Sequence, residues 1–408
     1  MKTRLVLLSI VLNVVWAHAQ IAVKEGLWRA SINRPDGKQI VFNLRSSVEN
    51  GKTVLYLINA GESMRIPDVH IVGDSIFINM PVFESGFKAR MVSKDSMNGI
   101  WHRAAVGKLI QIPFAATARN PQRFVAVNGN ATQHAGGKWA INFQSYNGDT
   151  SPAIGVFQQT KNKVTGSILT PYGDDRYLEG IVSGDSLWLS GFDGIHSLLY
   201  VAQINGTKLT GTMYSGEKSK ATFSGELSKN PTLPDSAAVR VKNGEEGYLD
   251  FAFKDLDGNT VSIKDERFKN KVVIIDIMGS WCPNCMDETA FLSDFYKKNK
   301  SRGVEVIALA YELTTDFNRS KASLLKFKNR FDITYPILFT GVAVDDSLRT
   351  EKTLPQLTPV KMFPTTIILD RSGKVSKIDT GFEGPGTGEY YTHYIQDFTD
   401  YINKLLAE

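Results

Sequence analysis

The stretch that decides the fold is Lys271-Val272-Val273-Ile274-Ile275-Asp276-Ile277-Met278, followed at once by Gly279-Ser280-Trp281-Cys282-Pro283-Asn284-Cys285. The first eight residues are a nearly unbroken apolar run, as expected of a strand covered on both faces in a parallel sheet. From Cys282 to about Lys300, Phe291, Leu292 and Phe295 share one face, so a helix is expected. The two cysteines therefore sit between a buried strand and a helix. A thiolate, not a thiol, attacks a disulfide, and a helix N-terminus stabilises it with the positive dipole end and free N–H groups. Pro283 loses no hydrogen bond in the first helical turn. Cys282, at the helix mouth, is expected to be the exposed attacking sulfur, and Cys285, one turn in, the resolving one, the two joined as a redox disulfide.

No other cysteine exists in the 408 residues. A disulfide-stapled scaffold and a four-cysteine zinc site are thereby excluded. His70, His102, His134, His196 and His393 are scattered, so no metal site is expected. Haem attachment would need histidine at position 286, which is Met286. A purely structural disulfide would close too short a loop to stabilise much. Redox chemistry is what remains.

Downstream, Val304–Ala310 reads as a second buried strand, Asp316–Arg330 as a helix, Thr365–Asp370 and Val375–Asp379 as paired strands, and Gly388–Leu406 as a closing helix. Strands alternating with helices make an α/β domain. The glycine-rich run Gly384–Gly388 does not join a strand to a helix, so no nicotinamide or flavin cofactor is expected.

Residues 20–230 read differently. Short apolar or alternating runs, among them Ile40–Leu44, Val54–Asn59, Ser75–Asn79 and Ser197–Ala202, are separated by Asn50-Gly51, Gly73-Asp74, Gly184-Asp185 and Asn205-Gly206. That is the grammar of β-hairpins. Landmarks repeat in order: Gly26-Leu27-Trp28 with Gly137-Lys138-Trp139, Gly73-Asp74-Ser75 with Gly184-Asp185-Ser186, and Asn98-Gly99-Ile100 with Thr210-Gly211-Thr212. Duplication explains a common offset, with copies at about 24–130 and 135–230. Each copy holds six or seven candidate strands. Two barrels, one larger barrel and a sandwich all fit. Ser228–Asp235 contains two prolines, and residues 231–245 read as a linker between units expected to fold separately. The fold class expected is therefore multidomain, a duplicated antiparallel β-region followed by an α/β domain at 246–408.

Residues 1–19 read as a secretory signal, with Lys2 and Arg4 before an apolar run and Ala17-His18-Ala19 as the cleavage site. The apolar run is too short to span a bilayer, and no later stretch does so, so a protein of the periplasm or cell envelope is expected. Hydrophobic residues make up 42% and charged residues 22%, which excludes a disordered chain. The net charge is only +5, without a Lys/Arg block, so no nucleic-acid partner is expected.

Residues 246–408 resemble the thioredoxin-fold domain of the TlpA-type thiol–disulfide oxidoreductases. The likeness rests on Trp281-Cys282-Pro283-Asn284-Cys285 and, independently, on Phe363-Pro364-Thr365-Thr366 before a strand. The resemblance implies that Pro364 is cis and that its loop faces the cysteines, with Phe363 offering backbone to a substrate chain beside Trp281 and Thr365. Phe363 stands where a small or β-branched residue is common. Asp276 falls where thioredoxin has a buried carboxylate that takes a proton from the resolving cysteine, unless it is a strand-end carboxylate reaching water. Glu288 matches an acidic residue common in the family, or else is a solvated first-turn glutamate.

Pro283-Asn284 carries no charge to over-stabilise the thiolate, so reduction or isomerisation of protein disulfides, fed by a membrane electron donor, is expected over oxidation. A second reading makes the β-region a binding module for a glycan, lipid or envelope protein, with Trp28, Trp101, Trp139 and Trp188 lining a pocket unless they are core.

Overall fold

The computed structural model describes residues 22–234 and 238–408. The export signal read at 1–19 lies outside the described residues, as does Asp235 at the end of the proline-bearing stretch.

The first sheet contains β1 (Gly26–Asn33), β2 (Gln39–Glu49), β3 (Lys52–Asn59), β4 (Glu62–Ile66), β5 (Val69–Val72), β6 (Ser75–Asn79), β7 (Ser85–Ser93), β8 (Ser96–Ala105) and β9 (Lys108–Thr117). The second contains β10 (Gly137–Gln144), β11 (Thr150–Thr160), β12 (Lys163–Thr170), β13 (Gly173–Asp174), β14 (Leu178–Ser183), β15 (Ser186–Phe192), β16 (Ser197–Asn205), β17 (Lys208–Ser215) and β18 (Ser219–Leu227). Alternation drives these strands: along β10, Trp139, Ile141 and Phe143 are buried while their neighbours face outward. Turn chemistry sets the register. Asn50 and Gly51 take φ of 50° and 74°, the paired positive values of a type I′ hairpin.

Nine strands per sheet exceed the six or seven expected, because pieces such as β5 and β13 are too short to show a period. Both sheets are antiparallel meanders in which the first strand also pairs with the last, β1 with β9 and β10 with β18. Here they part. In the second sheet β11 pairs with β12 and β12 with β14, which completes a barrel. In the first, the hydrogen-bonded order runs from β4 at one edge to β5 at the other.

The sheets pack on each other through β2 and β15. Phe42 stacks on Phe192 at 4.2 Å, and Ser190 Oγ donates to the Val41 carbonyl at 2.6 Å. Buried Arg123 joins them, donating to the Ser190 carbonyl of one (3.0 Å) and the Ile58 carbonyl of the other (2.6 Å). Trp28, Trp101 and Trp139 are at most 1% exposed, and Trp188 is half-buried against Phe124. Three of the four tryptophans considered for a pocket are therefore core.

The third sheet contains β19 (Ala252–Asp255), β20 (Thr260–Ser262), β21 (Val272–Met278), β22 (Val304–Ala310), β23 (Ile337–Phe339), β24 (Thr365–Leu369) and β25 (Val375–Thr380). Their order is β20-β19-β23-β22-β21-β24-β25, with β21, β22 and β23 mutually parallel. Helices α1 (Pro283–Asn299), α2 (Phe317–Arg330), α3 (Arg349–Thr353) and α4 (Glu389–Ala407) complete a thioredoxin-like unit. All seven residues of β21 are buried, as its apolar run requires. Helices α1 and α4 pack through Phe291, Phe295 and Phe398, edge to face at 5.2–5.3 Å.

The chain joins this unit earlier than the linker at 231–245 suggests. Val239 is buried, and Val241 bridges to Leu357. Nor do the units stand apart: one continuous apolar cluster runs from the first sheet into the third and takes in Phe192, Ile195 and Leu199, while the rest of the second sheet's core is a cluster of its own.

Candidate active site

Helix α1 opens at Pro283, and Cys282 is its N-cap, with Sγ accepting from the Cys285 N–H at 3.2 Å. The two cysteines form a disulfide, their Cα atoms 5.2 Å apart. Cys285 is fully buried. Cys282, expected to be exposed, is only 4% exposed, because the Phe363 loop and the walls around the helix mouth crowd it. The Phe363–Pro364 bond is cis, and the Phe363 carbonyl oxygen lies 3.6 Å from Cys282 Sγ. Trp281 donates its indole N–H to the Tyr311 carbonyl (2.8 Å) and meets the Phe363 ring edge to face at 5.4 Å. Thr365 donates to the Met362 carbonyl at 2.9 Å, holding the turn into β24.

Asp276 and Glu288 are fully buried, so neither reaches water. Asp276, on β21, pairs in register with Thr366, whose hydroxyl donates to Glu288 at 2.6 Å. Tyr394 of α4 donates to the same Glu288 oxygen at 3.1 Å. Burial pushes the Asp276 carboxyl well above the usual range, and Glu288 beside it pushes it further. Burial also raises Glu288, with the Thr366 and Tyr394 donors working against it. Burial and the neighbouring carboxyl thus both favour the protonated form of Asp276.

Sequence reading missed several groups here. Glu312, just past β22, is buried and accepts from the Ser280 N–H (2.8 Å) and hydroxyl (2.7 Å), fixing the turn that carries Trp281 and Cys282. Burial pushes its carboxyl up to about 7, against those hydrogen bonds. Tyr394 and Thr366 reach Glu288 only through the packing of α4 and β24. Nothing local in the chain marks Glu312 or Tyr394, and the Phe363–Thr366 landmark gives Thr366 no role toward Glu288. Pro283 and Asn284 also line a cavity of about 190 Å³ with Tyr172, Asp174, Arg176 and His196 of the second sheet. Among the described residues no cluster of three or more His, Cys, Asp or Glu is placed to hold a metal ion.

The arrangement can exchange disulfides: two sulfurs at a helix mouth, a backbone carbonyl beside the outer one, and two buried carboxyls of raised proton affinity on β21 and α1. The Redoxin family matches residues 242–393. The thiol–disulfide oxidoreductase ResA of Bacillus cereus is 30% identical over 149 residues, covering 36% of this chain and 75% of the relative. ResA of Bacillus thuringiensis subsp. konkukian is 29% identical over 152 residues, with the same coverage. A thioredoxin-family thiol:disulfide interchange protein from Chlorobium tepidum matches in structure with a TM-score of 0.29 and 21% identity, over 41% of this chain and 97% of its own. Through its C-terminal region the chain belongs to the ResA family of thiol–disulfide oxidoreductases.

Proposed function

We propose that the protein is exported by its first 19 residues and reduces or isomerises disulfides of envelope proteins. The geometry supporting this is the Cys282–Cys285 disulfide at the mouth of α1, opposite the Phe363 carbonyl, with the buried Asp276–Glu288 pair behind it. Among the described residues no helix is long and apolar enough to cross a membrane.

In the reduced enzyme the Cys282 thiolate attacks one sulfur of a substrate disulfide. A Cys282–substrate bond forms, the substrate S–S bond breaks, and the other substrate sulfur leaves as a thiolate. The substrate chain pairs with the Phe363 backbone, positioned by Pro364, Trp281 and Thr365. Cys285 then gives its proton to the Asp276–Glu288 pair and attacks Cys282, expelling the second substrate thiolate. Two electrons have moved to the substrate, and the Cys282–Cys285 disulfide is restored. A membrane dithiol donor returns two electrons for the next cycle. Neutral Pro283-Asn284 favours this reducing direction, because nothing there over-stabilises the Cys282 thiolate.

The test is single-turnover reduction of insulin by the dithiothreitol-reduced full chain. Cys282→Ala should abolish the reaction. Cys285→Ala should still attack and then stall as a mixed disulfide, which also traps native partners. Glu288→Gln should slow release of the mixed disulfide by roughly 10²-fold with little change in its formation. Faster alkylation of Cys285 than of Cys282 at neutral pH would reverse the two roles.

A further inference from the structure

The two β-copies diverge at one strand. At the 111-residue offset that relates Trp28 to Trp139, Glu62-Ser63-Met64-Arg65-Ile66 corresponds to Gly173-Asp174-Asp175-Arg176-Tyr177. In the first copy all five residues pair with β3. In the second only Gly173 and Asp174 pair with β12, and β14 closes the barrel in their place. Arg65 is surface-exposed and pairs with Glu49. Arg176, at φ +55°, turns out of the sheet and is buried. A non-glycine residue in that left-handed region persists only where its surroundings hold it.

What holds it is the active-site helix. Arg176 makes a bidentate pair with Asp287, two positions after Cys285, at 2.7 and 2.8 Å, and reaches Glu62 of the first copy at 2.7 Å. The Asp174 carbonyl accepts from Asn284 Nδ2, inside the Cys-Pro-Asn-Cys motif, at 3.2 Å. The Asp174 carboxylate accepts from the Gly384 N–H at 2.7 Å. The fit is close: a Cβ on Gly173 would stand 2.9 Å from Asn284 Oδ1, and one on Gly386 would strike the Arg176 carbonyl. The second barrel thus lays a short polar segment across the Pro283-Asn284 side of the disulfide and the loop after β25.

That side matters for a protein substrate. A polypeptide brings chain on both flanks of its sulfur. One flank can lie along the Phe363 carbonyl. The other would need the Asn284 side, where the amide is already bonded to Asp174. A small disulfide has no second flank to place.

The contact is also separable. Clefts of about 450 and 490 Å³ open on its two sides, between the barrel and the 377–389 stretch. The named contacts are polar, and most of the second sheet's core is a separate cluster, with Phe192, Ile195 and Leu199 joining that of the first sheet. Polar contacts beside open clefts resemble a transient interface rather than a core.

We propose that Tyr172–Arg176 is a specificity element of the oxidoreductase: a wall that admits small disulfides to Cys282 and holds back protein disulfides whose flanking chain needs the Asn284 side. The inference rests on Cys282 being the attacking sulfur.

The test compares the reduced full chain on insulin and on a small aromatic disulfide. Loss of both activities in Cys282→Ala checks the premise by itself. In Arg176→Ala the insulin-to-small-disulfide rate ratio should rise at least about tenfold, the equivalent of a lost contact of ~1.4 kcal/mol. Should that variant melt early, because Glu62 and Asp287 lose their buried partner, Arg176→Lys keeps the charge without the two-pronged geometry and should raise the ratio severalfold. Hydrogen exchange at 172–176, faster in either variant, reports that the wall has moved. An unchanged ratio with the segment released overturns the proposal. A ratio that falls also overturns it, because the segment would then recruit proteins rather than exclude them.

Discussion

The two β-sheets share a meander order but meet the rest of the molecule differently. The first is open between β4 and β5, and its apolar interior continues into the thioredoxin-like unit. The second is closed, keeps most of its core in a cluster of its own, and meets the cysteine helix with a polar segment. At equivalent positions Arg65 is a surface ion pair and Arg176 a buried clamp. One copy is thereby built into the enzyme's core, while the other is set against its active site. Two sheets of similar order thus differ in closure and contacts where β4 pairs through five residues and β13 through two.

The sharpest way to break this comparison is a pair of core deletions. Trp28 and Trp139 are equivalent, each donating its indole N–H to the carbonyl four residues earlier. Trp28→Ala and Trp139→Ala should each cost about 3–5 kcal/mol. Trp28→Ala should lower the melting of the thioredoxin-like unit as well, since the cluster is continuous. Trp139→Ala should give a separate early transition for the second barrel. Calorimetry distinguishes one transition from two, and equal behaviour of the two variants would erase the asymmetry.

Arg123→Met probes the seam between the copies. It leaves the Ser190 and Ile58 carbonyls without their donor, so a loss of roughly 2–3 kcal/mol is expected in chemical denaturation. A neutral result would mean that the other contacts between the sheets, such as the β2–β15 packing and Arg34 on the Ser215 and Gly216 carbonyls, carry the seam.

A pH series sharpens the contrast further. Burial pushes Asp174 up to about 7 and Asp175 to about 6, while their first-copy equivalents are Ser63 and Met64. A carboxyl raised on folding binds its proton more tightly in the native state. Its contribution is therefore complete below the unfolded value of about 4 and is lost as pH rises through the folded value. Stability should fall between about pH 4 and 7 by on the order of a few kcal/mol and then level off. Asp174→Asn should flatten part of that slope, and a slope rising with pH would contradict the assignment.

The smallest effect belongs to Glu84 of the first copy. It accepts from Arg319 at 2.9 Å and from Ser323 at 2.8 Å on α2, with Arg319 nearly half exposed. Arg319→Ala should change stability by less than about 1 kcal/mol, because exposed pairs are weak. A larger loss in a thermal melt would place the first copy's attachment in this pair rather than in the apolar cluster.

Much of the molecule is legible in its sequence where the determinants are local. The apolar run Val272–Met278 fits a covered strand, and Pro283 after Cys282 fits the first turn of a helix. Alternation around Trp139 and the Asn50-Gly51 turn dictate hairpins. Spacing alone therefore places Cys282 at a helix mouth, and chain order brings Asp276 and Glu288 onto the strand and helix that carry it. The remainder depends on which surfaces meet. That Asp276 and Glu288 are dry, that Tyr394 donates to Glu288 and that Glu312 anchors Ser280 follow from the docking of α4 and β22, for which periodicity carries no information. That Arg176 grips Asp287 while Arg65 remains on the surface is decided by a contact between residues 111 apart in sequence. An arginine stands at both sites; only burial between two packed units makes one of them part of the active-site surroundings.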